Sequence, residues 1–189
     1  MPPEIEPFDP RGMFHAGWSA EVDDYAIVCD WALGGKLFIV GDVGGGIYGL
    51  EGDTGKLIWK KNEVHTGGLL AMSIHPNGEI FATSGQDGIV HILNCNNGRE
   101  IKEISLEKGW VEHLSWSNDG LFLAAAFSKK VYVFNQDGNE EWVSDEHPST
   151  VSAISWSNNN ELATACYGRV TFFDVANKKI NQKLEWKGS

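Results

Sequence analysis

The chain repeats itself, and the length of the repeat limits what it can fold into. LSWSNDGLFLAAAF at Leu114–Phe127 and ISWSNNNELATACY at Ile154–Tyr167 are two copies of one pattern. SIHPNGEIFATSG at Ser73–Gly85 is a third, and CDWALGGKLFIVG at Cys29–Gly41 is a degenerate fourth. The anchors Trp31, Ile74, Trp116 and Trp156 are separated by 43, 42 and 40 residues. A unit this short cannot cover both faces of its own sheet, so successive units have to stack on one another. The 189 residues therefore read as one continuous array and not as two independent domains.

Within each copy the strand and turn signals recur in the same order. In the third copy Val111–Trp116 reads as a first strand, followed by the turn Ser117-Asn118-Asp119-Gly120. Leu121–Phe127 and Lys130–Asn135 follow, then the turn Gln136-Asp137-Gly138 and a short fourth strand, Glu140–Val143. Asn-Gly and Asp-Gly supply the positive φ that tight hairpins need. Pro76-Asn77-Gly78 and Asn96-Asn97-Gly98, Asn158-Asn159-Asn160, and Leu33-Gly34-Gly35 with Gly52-Asp53-Thr54-Gly55 hold the matching places. The fold class implied is all-β: a β-propeller of four-stranded antiparallel blades. The four blades span approximately 23–62, 68–106, 110–144 and 150–186, within a propeller segment at 14–189 behind a disordered acidic, proline-rich stretch at 1–13. In the first strands the anchor parity is bulky, as at Leu114 and Trp116, and the opposite parity is mostly small, as at Ala153 and Ser155. Large on one sheet can then fill small on the next, which makes Trp31, Ile74, Trp116 and Trp156 structural core residues.

These features resemble the WD-repeat β-propellers over roughly residues 20–186. In that family the third strand tends to end in Trp-Asp; the pairs here are Leu50-Glu51, Leu93-Asn94, Phe134-Asn135 and Phe173-Asp174. Only Phe173-Asp174 keeps the aspartate. The resemblance also implies an Asp between the second and third strands. Asp87 in SGQDGIVHIL fits that structural role, whereas Gly44, Ser128 and Tyr167 stand at the matching positions. Val64-His65-Thr66-Gly67 is a weak echo of the family's Gly-His dipeptide. The His–Ser–Trp–Asp hydrogen-bonded network that the resemblance implies is expected to be largely missing, with rigidity coming from apolar packing. WD-repeat rings generally have about seven or eight blades, within the wider range of propellers, so the ring here is expected to be incomplete. Phe14–Val22 reads as an outer strand placed before the first blade, yet the fourth copy has its own in Lys179–Trp186. Either a C-terminal half is missing, or a homodimer completes the ring, or the open edges stay exposed.

The remaining signals concern chemistry. A net charge of −11 with no Lys/Arg cluster beyond pairs such as Lys129-Lys130 argues against nucleic acid. Cys29, Cys95 and Cys166 have no CxxC spacing and read as reduced thiols. No apolar run approaches a membrane span and the N-terminus lacks a secretory pattern, so the expected location is cytoplasmic. The six histidines show no metal-ligand spacing, and no nucleophile elbow occurs. Gly41–Gly46 lacks the following helix that a phosphate loop needs. Asp53-Thr54-Gly55 with Trp59 is similar to the repeat of quinoprotein-type propellers, but only one copy carries it. No catalytic residue, cofactor or metal is expected. The function expected is a non-catalytic scaffold that binds a protein or peptide through rim loops, with Tyr25, Trp110, Glu112, Tyr167 and Arg169 as the candidate contacts. The alternative is a quinoprotein-like or metal-dependent propeller enzyme.

Overall fold

A computed structural model describes residues 17–158 and 161–187. The sequence features expected at 1–13, at 14–16 and at Asn159-Asn160 lie outside the described residues. Four antiparallel sheets follow one another along the chain, each a four-stranded meander. Blade 1 contains β1 (Ala26–Ala32), β2 (Leu37–Asp42), β3 (Ile47–Glu51) and β4 (Leu57–Lys61). Blade 2 contains β5 (Leu69–Ile74), β6 (Ile80–Gly85), β7 (Ile89–Asn94) and β8 (Glu100–Ser105). Blade 3 contains β9 (Val111–Trp116), β10 (Phe122–Phe127), β11 (Lys130–Asn135) and β12 (Glu140–Val143). Blade 4 contains β13 (Val151–Asn158), β14 (Glu161–Cys166), β15 (Arg169–Asp174) and β16 (Lys179–Glu185). The first strands β1, β5, β9 and β13 lie beside one another, so the blades stack through their inner edges.

The seams explain the repeat. Trp116 packs with Ala82, Val90 and Ile92 of the preceding blade. Trp156 packs with Ala124, Ala126, Val131 and Val133 of blade 3. Ile74 lies against the cluster that holds Leu37, Ile39 and Ile47 of blade 1. Each such burial contributes about 2–3 kcal/mol. Polar ties cross the seams as well. Trp156 Nε1–H donates to the Ser115 carbonyl at 3.0 Å. His75 accepts from the Asn77 N–H through Nδ1, which leaves Nε2–H to donate to the Gly120 carbonyl at 3.0 Å. Gly120 has φ +75, and a Cβ there would sit 2.2 Å from the His75 ring. Glycine is therefore required at that turn twice over.

Trp31 departs from the expectation that every anchor is core. It is 49% exposed, against 5% for Trp116 and 7% for Trp156. Each anchor rests on the blade before it, and among the described residues blade 1 has none before it. Trp31 instead lies against Phe38 on an open face, with ring centroids 4.8 Å apart. Among the described residues nothing packs on the far face of blade 4 either, and Leu184 on β16, opposite Val170, is exposed.

Residues 17–22 do not form the outer strand expected at Phe14–Val22. Trp18 nevertheless makes the contacts of an outer-strand tryptophan. Trp59 on β4 stacks on Phe81 of blade 2 and donates its Nε1–H to the Cys95 carbonyl at 2.8 Å. Trp18 repeats this on blade 1, edge-on to Phe38 and donating to the Gly52 carbonyl at 2.8 Å. Gly98 seats the Trp59 ring and Gly55 seats Trp18; a Cβ at either would lie under 3 Å from the indole. The Asp53-Thr54-Gly55 and Trp59 signal is thus tryptophan docking between neighbouring blades. Without partner strands the backbone at 17–22 has no ladder to join, which is why it is not a strand.

Candidate partner-binding rim

The loops entering the first strands and the turns joining second to third strands share one rim. The Val43 N–H donates to the Tyr25 carbonyl in blade 1, and the Gln86 N–H donates to the Gly68 carbonyl in blade 2. The Val151 N–H donates to the Ser128 carbonyl, which joins blades 3 and 4 at the same level. Trp110 closes the loop before β9 and is 54% exposed. It borders a cavity of about 460 Å³ whose walls include Glu107, Glu112, Phe127, Ser128 and Thr150. A second hollow shares Glu107, Phe127 and Ser128 and continues toward Lys130, Tyr132 and Glu146. The two make one groove with an aromatic mouth and mixed charge. Ser128 sits at its floor in the left-handed region, φ 52, where a side chain is strained.

The five rim residues expected from the sequence separate into groups. Trp110 and Glu112 line the groove. Tyr25 and Tyr167 are exposed on the same rim but outside it. Tyr167 is held by its N–H, which donates to Ser149 Oγ at 2.9 Å. Arg169 is elsewhere. It pairs with Glu185 at 2.5 Å and lines a separate hollow with His147, Thr171 and Lys183. It stands opposite Glu185 across the β15–β16 ladder and is not among the residues lining the groove.

The polar network expected to be largely missing is partly present. In blade 2 His65 lies between Asp87 and Thr83: Nδ1–H faces the carboxylate at 3.2 Å and Nε2 accepts from the Thr83 hydroxyl at 3.0 Å. The Thr66 and Ile89 N–H groups also donate to Asp87. Burial pushes His65 below its ordinary pKa, although Asp87 pulls the other way. Burial pushes Asp87 up, but the Thr66 N–H and His65 outweigh it and hold the carboxyl below its usual range. An Asp–His–Thr line of this kind activates a hydroxyl in an open site. Here His65 and Thr83 are buried in the seam, so the line fastens the loop to the sheet. Blade 4 keeps the same device. His147 Nδ1–H donates to the Lys129 carbonyl at 2.9 Å and Nε2 accepts from Thr164 at 2.8 Å. His147 stands nine residues before Trp156, as His65 stands nine before Ile74. That spacing is the signal by which His147 could have been found. Asp174 closes the turn after β15 by accepting from Asn177.

Blade 1 solves the same problem with other residues. Buried Asp42 accepts from Tyr48 Oη at 2.7 Å and from the Gly46 N–H. Burial and this carboxylate push the Tyr48 phenol up to about 12. Among the described residues no helix is long and apolar enough to cross a membrane.

Stacked four-stranded blades with a loop rim define a β-propeller, and the described residues form four of them with the ring not closed. A family profile described as Outer membrane protein assembly factor BamB matches residues 17–184. The chain belongs to this family of propeller repeats, and about half of it is similar to curated WD-repeat proteins. It is 36% identical to WD repeat-containing protein 1 of Xenopus tropicalis over 97 residues, which is 48% of this chain and 16% of that protein. It is 32% identical to a probable cytosolic Fe-S cluster assembly factor of Schizosaccharomyces pombe over 107 residues, 53% of this chain and 18% of the other. A chain in the crystal structure of a mitotic checkpoint complex superposes with a TM-score of 0.77 at 18% identity, over 88% of this chain and 52% of its own. The Cps50 (Swd1) β-propeller domain of Myceliophteria thermophila gives 0.77 at 15%, over 88% and 57%. The chain thus spans about a sixth of those curated relatives and about half of the structural neighbours.

Proposed function

We propose that the chain is a non-catalytic WD-repeat scaffold that holds a protein or peptide partner on the rim of blade 3, through Trp110 and the groove beside it. The observation that carries this reading is Trp110 itself, a large aromatic left half in water at the mouth of a cavity. Trp116, six residues on, is buried in a seam. Aromatics in that setting dominate binding energy when a partner covers them. Glu112 supplies a carboxylate on the same wall, while Tyr25 and Tyr167 extend the contact along the rim. A structural neighbour found in a checkpoint complex and curated WD-repeat relatives support a protein partner. The open faces of blades 1 and 4 carry the two halves of the seam that repeats inside the arc, and in this reading they pack on further blades. A second copy of the chain fits less well, because blade 4 already has its outer strand and Trp18 occupies that strand's place on blade 1. Three free thiols, including exposed Cys29, and a relative described as cytosolic support work in the cytoplasm.

The test is partner capture by tagged wild-type chain and by Trp110→Ala, compared by quantitative mass spectrometry. A protein retained by the wild type and lost from the variant, at an unchanged melting temperature, supports the rim. Identical capture by both chains refutes it.

A further inference from the structure

His91, Glu100 and Glu103 come together on the outer part of blade 2. A ring nitrogen of His91 and one carboxylate oxygen from each glutamate lie within 4.8 Å of one another. His91 Nδ1 is 2.8 Å from Glu100 Oε2. His91 is only 6% exposed, and its Nε2 is buried without a hydrogen-bond partner among the described residues. Glu103 stands directly opposite His91 across the β7–β8 ladder. Glu100 is three residues from Glu103, which in a regular strand would place it on the other face. The bulge between the Ile92 and Leu93 rungs skips Ile101 and returns Glu100 to the face of His91.

The bulge itself belongs to the repeat, since every blade has it at this rung. The three residues do not. The equivalent positions hold Tyr48, Leu57 and Lys60 in blade 1, Tyr132, Glu140 and Val143 in blade 3, and Thr171, Ile180 and Lys183 in blade 4. The fold therefore accepts apolar or cationic residues where blade 2 alone sets an imidazole and two carboxylates. Blades 1 and 4 each place a lysine where blade 2 has Glu103.

We propose that His91, Glu100 and Glu103 bind a divalent transition-metal ion, with zinc the best match to one imidazole and two carboxylates. Ligands about 2.1 Å from a tetrahedral ion lie about 3.4 Å apart, so a small rotation of the two glutamate side chains closes the site. The ion takes the Nδ1 lone pair and the ring proton resides on Nε2. Water completes the coordination on the solvent side. Spacings of nine and three residues match no metal motif because the ligands meet across a hairpin.

The experiment is calorimetric titration of the chelator-stripped 189-residue chain with zinc chloride, with cobalt(II) absorption as a second readout. One ion per chain is expected, with tetrahedral cobalt bands. Glu103→Gln, on the outer strand, should weaken zinc about tenfold or more while the melting temperature of the metal-free chain stays unchanged. His91→Gln should abolish binding. Absence of zinc binding by the wild-type chain overturns the proposal. So does binding that neither substitution changes, which would place the ion elsewhere, for instance at Cys29.

Discussion

Trp31 and Trp156 occupy the same slot of the repeat, yet removing them should cost different amounts. Trp156 is buried against Ala124, Ala126, Val131 and Val133 and donates a hydrogen bond to Ser115. Trp156→Ala opens a cavity in a packed seam and leaves a carbonyl without its donor. Truncations of this kind cost about 3–5 kcal/mol. Trp31 is half exposed and meets mainly Phe38. Its removal leaves no enclosed cavity and forfeits about half the transfer energy, so Trp31→Ala should cost about 1–2 kcal/mol. Urea unfolding followed by far-UV circular dichroism measures both, with light scattering to fix the mass of each sample. The reasoning is refuted if the two substitutions destabilise equally. That result would mean the open face of blade 1 is covered in solution, and a doubled mass would name a second copy as the cover.

Three further outcomes follow from named residues. His65 and His147 are both held below their ordinary pKa by burial. The unfolded chain therefore takes up protons first as pH falls below about 6.5, and each histidine should remove about 1.4 kcal/mol of stability per pH unit until its lowered folded pKa is reached. Urea midpoints from pH 7.5 down to 5 should fall, and a flat profile would contradict a neutral buried His65. Cys29 is exposed, whereas Cys95 is buried with its thiol pushed up to about 12. A native chain treated with Ellman's reagent should thus release about one equivalent quickly and the rest only on unfolding; fast release of all three would count against the seams described. Gly120→Ala forces a Cβ into the His75 ring at positive φ, and should cost about 2 kcal/mol or more in thermal unfolding. An unchanged melting temperature would show that this turn is not so confined.

The blades were legible in the sequence because each strand is short and the seam demands the same residue at the same step. The strand limits of blade 3 fall within a residue of the expected ones. The misread features share a cause: they depend on what lies next to a blade and not on the blade itself. Trp31 carries the anchor pattern, but its burial depends on a preceding sheet. Residues 17–22 carry the outer-strand tryptophan, but a strand needs a partner ladder. The His65–Asp87–Thr83 line joins a loop, a turn and a strand up to 22 residues apart. A search for dipeptides sees only its weakest member.

Function follows the opposite logic from the core. Residues that recur in phase answer to packing, so the informative ones are those that break phase without loosening a seam. Trp110 is one: Gly68 and Thr150 enter the first strands of blades 2 and 4 at its place, and blade 1 has exposed Tyr25 there, outside the groove. His91, Glu100 and Glu103 are another, since three sister blades fill those positions with residues that could not hold an ion together. The rim of blade 3 and the outer part of blade 2 are where the four copies differ in chemistry while keeping the same backbone. A repeat protein can vary such places at little cost to its stacking, which is why both the proposed partner contact and the proposed metal site are placed there.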